Sequence, residues 1–162
     1  MSNRGIELYI LDIFVAIDKI RRYTGKFSSG SDLLCDELSW DATIRELEII
    51  GEATKNLLQN SIVNDKKYRR IVDFRNQINH GYFGIDEEIV WDVVKNKIDE
   101  YENDLNKVIV AFKLNMPETI KIFKQENLKQ KQVLEFLEEL EKKMQIKYLK
   151  QNLRQKIDLE TL

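Results

Sequence analysis

Apolar residues recur at three- and four-residue intervals along most of this chain, and that period predicts helices. Ile6, Ile10, Ile13, Phe14, Ile17 and Ile20 form one stripe, which predicts a first helix from about Arg4 to Tyr23, stopped by Gly25. Ser28–Ser31 reads as a loop and Asp32–Cys35 as a short helical turn. A second long helix is predicted between about Asp36 and Asn60, with Ile44, Leu47, Ile50 or Gly51, Thr54, and Leu57 or Leu58 as its core stripe. Gly51 inside that helix costs about 1 kcal/mol against alanine, so its presence predicts the close approach of another helix. After a polar loop capped by Asn64 or Asp65, a third helix is predicted from about Lys66 to Asn79 or His80. Its seam is Ile71, Phe74 and Ile78, and Gly81-Tyr82-Phe83-Gly84 ends it in a sharp turn. Asp86 is the expected N-cap of a fourth helix, with Glu87 and Glu88 at its positive end. That helix carries apolar residues from Ile89 to Phe112, a span of about 26 residues or ~39 Å. Lys113–Pro117 breaks it.

Beyond Pro117 the pattern changes. Val133, Leu137, Leu140, Met144 and Tyr148 share one face, whereas Ile146, Leu149, Leu153 and Ile157 lie nearly opposite. Either a helix breaks near Gln145 or one helix touches two partners. No strict heptad runs through it, which argues against a long coiled coil. The expected architecture is all-α: an up-and-down antiparallel helical bundle over residues 1–115, followed by a helical C-terminal extension over 116–162. The two apolar faces predict that the extension packs on the bundle and on a second chain; its basic charge offers RNA backbone as the alternative contact.

Composition narrows the chemistry. With 162 residues the chain is long enough to bury a core without disulfides or metal. Six glycines and one proline are too few for a sandwich or barrel of many short strands. One cysteine, Cys35, excludes an intrachain disulfide and multi-cysteine zinc sites, and it reads as inert core. One histidine, His80, excludes a His-x-x-x-His metal site within one chain. No apolar run reaches membrane-spanning length and the N-terminus lacks a signal-peptide pattern, so a cytoplasmic protein is expected. The net charge of −2 does not announce nucleic-acid binding. It is unevenly spread, however: residues 1–112 carry 15 basic and 20 acidic side chains, and residues 113–162 carry 11 and 8. The local run Lys66-Lys67-Tyr68-Arg69-Arg70 reads first as a solvated helix face.

The stretch from Arg75 to Phe83 holds the candidate chemistry. Here the chain's one histidine closes a predicted helix, five residues after an arginine and just before Gly-Tyr-Phe-Gly. Five helical residues turn through about 500°, so Arg75 and His80 point ~140° apart and lie ~7.5 Å apart along the axis. Asn76 and His80 are the same-face pair. A site that uses both Arg75 and His80 therefore needs a distorted helix end or a second protomer. A purely structural role is the competing reading, with His80 capping carbonyls and Arg75 paired with Asp73 or Glu52.

Two blocks resemble the HEPN superfamily, specifically its minimal HepT-like toxin ribonucleases. The first is Ile44-Arg45-Glu46-Leu47-Glu48-Ile49-Ile50-Gly51-Glu52-Ala53, similar to that branch's Arg-x-Leu-Glu-Ile-Ile-Gly-Glu-Ala signature. The second is Arg75-Asn76 through His80-Gly81-Tyr82, similar to Arg-Asn-x-x-x-His-x-Tyr, followed by Ile85-Asp86 and Val90-Trp91. The resemblance spans about residues 4–112. Lys67-Tyr68 stands where the branch usually has Pro-Trp, and the segment after Pro117 has no counterpart. The resemblance implies a homodimer with facing motifs and RNA cleavage without metal or cofactor. It implies Arg75 and His80 as the catalytic pair, and Tyr82 as the residue that a nucleotidyltransferase antitoxin modifies with AMP. Asn76, Arg45 and Glu52 become supporting residues, Asn76 by orienting the imidazole or a phosphate oxygen and the other two chiefly by structural contact. Alternatives are a non-catalytic HEPN module that binds RNA or a nucleotidyltransferase, and a structural adaptor. Trp40 and Trp91 are expected as core or interface anchors, and Tyr9, Tyr23, Tyr68 and Tyr101 as helix-face packing.

Overall fold

A computed structural model of the chain describes residues 5–81 and 84–160, and among them every regular element is helical. Seven helices follow in order among these residues: α1 Ile6–Thr24, α2 Gly30–Cys35, α3 Glu37–Gln59, α4 Asp65–His80, α5 from Glu87 to Ala111, α6 Met116–Glu126 and α7 Lys131–Glu160. The starts are set by local chemistry. Ser29, Asp36, Asn64, Asp86 and Asn115 each accept a backbone N–H of the first turn that follows them. Helices α1 and α4 stop at the expected glycines, Gly25 and Gly81, although their φ values of −61° and −144° are not left-handed. Among the described residues the left-handed ones are Ser61 after α3 and Lys113 after α5.

The chain divides into two compact units between Lys113 and Leu114. In the first, α1 is the central strut. Its residues from Ile13 to Ile17 are buried all round, because α3 and α5 cover it from different sides. Ile10, Leu11, Ile13, Ile17 and Ile20 are wholly inaccessible, each contributing roughly 1.5–3 kcal/mol of apolar burial. Helix α3 buries the expected stripe of Ile44, Leu47, Ile50, Gly51, Thr54 and Leu57. Helix α4 packs on α3, but its buried line is Tyr68, Val72 and Ile78. The predicted Ile71 and Phe74 are only half-buried, because α4 inclines toward both α3 and α5.

Two features escaped the sequence pattern. Helix α5 consists of Glu87–Asp92, a π-helical turn Val93–Lys97, and Ile98–Ala111. The wider turn keeps Val90, Val94, Ile98, Tyr101 and Leu105 in one buried line along the whole helix. Cys35 is exposed, correcting its assignment to the core. Helix α2 is six residues long and turns Gly30 and Leu33 inward, which puts Cys35, two residues on from Leu33, outward. Gly30 lies so close to α5 that a Cβ there would stand 2.5 Å from the Glu87 carbonyl oxygen.

In the second unit α6 packs on α7, through Met116, Ile120 and Phe123 and through Val133 and Leu137. Lys124 Nζ binds Glu141 Oε2 at 2.5 Å across the pair. The break falls at residues 127–130, and α7 runs unbroken past Gln145, contrary to one of the two expectations.

Candidate active site

Helix α4 carries both candidate catalytic residues, and α5 holds its first turns. The Tyr68 hydroxyl donates to Asp104 Oδ2, and Lys67 Nζ reaches Asp104 at 2.6 Å and Glu100 at 2.8 Å. The Tyr68 and Tyr101 rings stand 5.0 Å apart, and the Tyr101 hydroxyl meets Thr54 Oγ1 of α3 at 2.9 Å. Hydrogen bonds from Lys67 and then Tyr68 hold the Asp104 carboxyl well below the usual carboxylate range. Burial, then the bond to Asp104, pushes the Tyr68 hydroxyl up to about 12. Lys67 is thus an anchor between helices and not part of a merely solvated charge run.

Gly51 fixes how deeply α4 settles. A Cβ on Gly51 would stand 2.3 Å from Arg75 Cβ and 2.7 Å from Arg75 Cγ. The glycine is therefore the floor under Arg75, which explains a residue that lowers helix propensity in mid-helix. Above that floor every nitrogen of the Arg75 guanidinium has its own acceptor. Nη2 binds Glu52 Oε2 at 3.0 Å, and Nη1 donates to Asn76 Oδ1 at 3.1 Å. The Asn79 amide satisfies both its neighbours when its oxygen accepts from Arg75 Nε at 3.2 Å and its nitrogen donates to Glu48 Oε1 at 2.7 Å. Glu48 Oε2 in turn accepts from Arg45 Nη1 at 3.1 Å. Among the described residues three of the five guanidinium N–H groups are engaged, which leaves two for a ligand.

This network lines a cleft of about 420 Å³ whose walls include Tyr9, Asp12, Arg45, Glu52, Asn56 and Arg75. His80 is not in it. The histidine lines a second cleft, of about 560 Å³, among Phe74, Ile78, Ile85 and Ile89. Helix α4 stays regular through His80, and the Gly81 N–H donates to the Gln77 carbonyl at 2.9 Å. No distortion of the helix end brings the two residues together within one protomer. The His80 side chain is exposed and has no hydrogen-bond partner among the described residues.

Of the other sequence candidates, Arg45 and Glu52 join the Arg75 network, and Asn76 turns to Arg75 and not to the imidazole. Tyr82 lies outside the described residues. Trp40 is buried, and Trp91 is half-buried with the Lys95 ammonium 4.4 Å from its ring centroid. Sequence reasoning missed the parts played by Glu48 and Asn79. Asn79 carried a signal: it stands at i+4 from Arg75, the same helical relation as Asn76 to His80. Among the described residues no cluster of three or more His, Cys, Asp or Glu is arranged around a metal-sized site, and no helix is long and apolar enough to cross a membrane.

Comparison with known proteins gives the class of this all-α bundle with its Arg-x-x-x-x-His helix end. A family profile described as "Ribonuclease HepT-like" matches residues 13–108, and the chain belongs to that family. The chain is 36% identical over 113 residues to "Probable ribonuclease HepT" of Thermococcus cleftensis, covering 65% of this chain and 97% of the relative. It is 32% identical over 114 residues to "Putative RNase MJ0127" of Methanocaldococcus jannaschii, covering 67% of this chain and 91% of that one. A third relative from the same organism, "Gamma-glutamylcyclotransferase and putative RNase MJ0434", is 28% identical over 86% of this chain and 64% of its own. An alignment that long exceeds the bundle unit and runs into the C-terminal one. No solved structure matches the chain.

Proposed function

We propose that this HepT-like ribonuclease is the toxin of a toxin–antitoxin pair, and that it cuts RNA without a metal ion at a site completed by a second copy of itself. The observation that carries the reading is the split on α4. Arg75 and His80 sit in separate clefts on a regular helix, and each chain has one histidine. Cleavage by the RNA's own 2′-hydroxyl needs one group to take a proton and another to give one. A two-fold pairing of helix ends supplies two imidazoles and two guanidiniums in one place.

In the proposed reaction one His80 imidazole takes the 2′-OH proton as that oxygen attacks phosphorus. The P–O5′ bond breaks, and the partner protomer's imidazolium protonates the leaving O5′. The products are a 2′,3′-cyclic phosphate and a 5′-hydroxyl. Arg75 offers its two unengaged N–H groups to the equatorial phosphate oxygens, where negative charge develops. Its fixed orientation means that little reorganisation accompanies the reaction. The exposed imidazole is accessible both to RNA and to a partner chain.

Control is assigned to Tyr82, two residues beyond the end of α4. An AMP group placed there by a nucleotidyltransferase antitoxin would add a phosphodiester two residues along the chain from His80, repelling RNA and filling its path. The support is sequence position together with family membership.

The deciding experiment incubates purified protein with RNA in excess chelator beside a His80→Ala variant. Cleavage by the parent alone, leaving 2′,3′-cyclic phosphate ends, is the expected result. Binding without cleavage by both proteins points instead to a non-catalytic RNA-binding module. Mass spectrometry of Tyr82 after coexpression with a neighbouring nucleotidyltransferase tests the switch, and an unmodified tyrosine in a neutralised pair would remove it.

A further inference from the structure

Helix α7 changes character halfway along. Residues 131–141 carry Lys131 against Glu135, Glu138, Glu139 and Glu141. Residues 142–157 carry Lys142, Lys143, Lys147, Lys150, Arg154 and Lys156 and no acidic residue, with Glu139 at i−4 from Lys143 and Asp158 at i+4 from Arg154 bounding the run. All six cations are exposed. At about 100° per residue, Lys143, Lys147, Lys150 and Arg154 fall within roughly 60° of arc and run ~16 Å along the axis. They form a single strip of like charge on a helix that packs on its own unit only through its first half.

Within the strip the like charges work against the helix, and Glu139 and Asp158 offset them only at its two ends. Lys143–Lys147 and Lys150–Arg154 are i,i+4 pairs and Lys147–Lys150 is an i,i+3 pair, and like charges at those spacings destabilise a helix. A helix needing only solubility would mix signs, as the first half of α7 does with Lys131 and Glu135 at 3.9 Å. The strip has an explanation if a polyanion neutralises it. Beside it Ile146, Leu149, Leu153 and Ile157 are 52–66% exposed. Lys156 borders that seam on its far side and Lys142 stands at its N-terminal end, so any occupant meets cations around it. A second copy laid on the seam would bring six cations against six, so the seam by itself does not select self-association.

We infer that the strip Lys143–Lys147–Lys150–Arg154 is a second RNA contact, binding the phosphate backbone of the substrate away from the reacting bond. It rests on the family's RNA substrate but not on the catalytic assignment of Arg75 and His80. Spacings of three and four residues put successive cations about 4.5–6 Å apart along the axis, so the strip can meet several phosphates of one strand. Nothing in the strip reads bases, so the contact is sequence-independent and salt-sensitive.

The test uses the full-length chain carrying His80→Ala, so that RNA survives the measurement. Binding of a 20-nucleotide single-stranded RNA is followed by fluorescence anisotropy between about 50 and 200 mM salt. The variant K143Q/K147Q/K150Q/R154Q removes charge repulsion from α7, so circular dichroism should show its helix content retained. A control, K55Q/K97Q/K113Q/K129Q, removes the same net charge at exposed positions elsewhere. The strip variant is expected to lower the slope of log K against log salt by about 0.7 for each phosphate it no longer neutralises, up to roughly 3. The control is expected to leave the slope nearly unchanged. Equal slopes for strip variant and parent, or an equal fall in the control, would overturn the inference. So would retained RNA affinity accompanied by dissociation of an oligomer in sedimentation, or by failure to bind vesicles of anionic lipid, either of which assigns the strip to another surface. The cleavage assay reads the catalytic assignment separately: a chain with intact His80 that cuts no RNA, yet whose salt slope depends on the strip, keeps this inference and removes the catalytic one.

Discussion

Arg75 and His80 stand five residues apart on one helix in opposite surroundings. The arginine lies over a glycine floor with an acceptor on each guanidinium nitrogen, and one of those acceptors, Asn79, is itself held by Glu48. The histidine closes its helix exposed, beside aliphatic side chains and without a polar partner among the described residues. On the proposed mechanism the difference separates two tasks. A group that stabilises developing charge works best when already oriented, because reorienting it during the reaction adds to the barrier. A group that exchanges protons with substrate, beside its copy on a second chain, must be reachable.

The strongest way to break this comparison is to remove the reachable group. His80→Ala should reduce RNA cleavage by at least about 100-fold, the usual minimum for a lost general acid or base, with thermal stability unchanged because the side chain is exposed. A parallel fall in melting temperature would mean that His80 is structural.

The floor comes next. Gly51→Ala places a Cβ against the Arg75 side chain, where the helices must move apart. Overpacking of that kind costs about 1–3 kcal/mol, and cleavage should fall at least tenfold as Arg75 shifts. Denaturant melts and kinetics on the same sample check both, and full activity at parental stability would show that α4 is not seated through Gly51.

The clamp can be sharpened without disturbing the floor. Asn79→Ala frees Arg75 Nε and should lower kcat several-fold with a smaller change in KM. Glu52→Gln keeps an acceptor but removes an anion from beside the phosphate site. It should lower KM about two- to threefold at low salt, because the Glu52 carboxylate competes with phosphate for the guanidinium. A raised KM in Glu52→Gln would instead make Glu52 a required support for Arg75.

The smallest effect concerns the anchor at the start of α4. The Asp104 carboxyl sits below its ordinary pKa because Lys67 and Tyr68 donate to it. A depressed carboxylate pKa contributes stability that is fully present above its unfolded value and is lost as pH falls toward the folded one. The melting temperature of Asp104→Asn should therefore lie a few degrees below the parent at pH 7, with the gap narrowing as pH drops below about 4. A gap independent of pH would mean that shape, not charge, holds the anchor.

Much of the bundle was legible in the chain because helices are specified locally. Period, caps and the strong breaks predicted α1, α3, α4 and α5 to within a few residues, and the odd placement of Gly51 announced a close helix. The separation of Arg75 from His80 also followed from helical geometry alone. What failed depended on neighbours. Cys35 reads as core because cysteine usually is, yet a six-residue helix can bury only one side. The seam of α4 shifted from Ile71 and Phe74 to Tyr68 and Val72 because α5 draws the helix toward Asp104 and Tyr101. The π turn is invisible to a 3.6-residue pattern, since it corrects that pattern's drift over a long buried face.

The candidate site divides along the same line. Residue type and position singled out Arg75 and His80 on α4 as candidates, and the family resemblance added the block from Arg45 to Glu52 on α3. Only the tertiary structure joined Arg75 to Glu52 and linked Asn79 to Glu48, because those pairs lie 23 and 31 positions apart and meet through the packing of α4 on α3. A helix period says which side chains share a face, whereas the partner across that face depends on how far two helices can approach, and here Gly51 decides that distance.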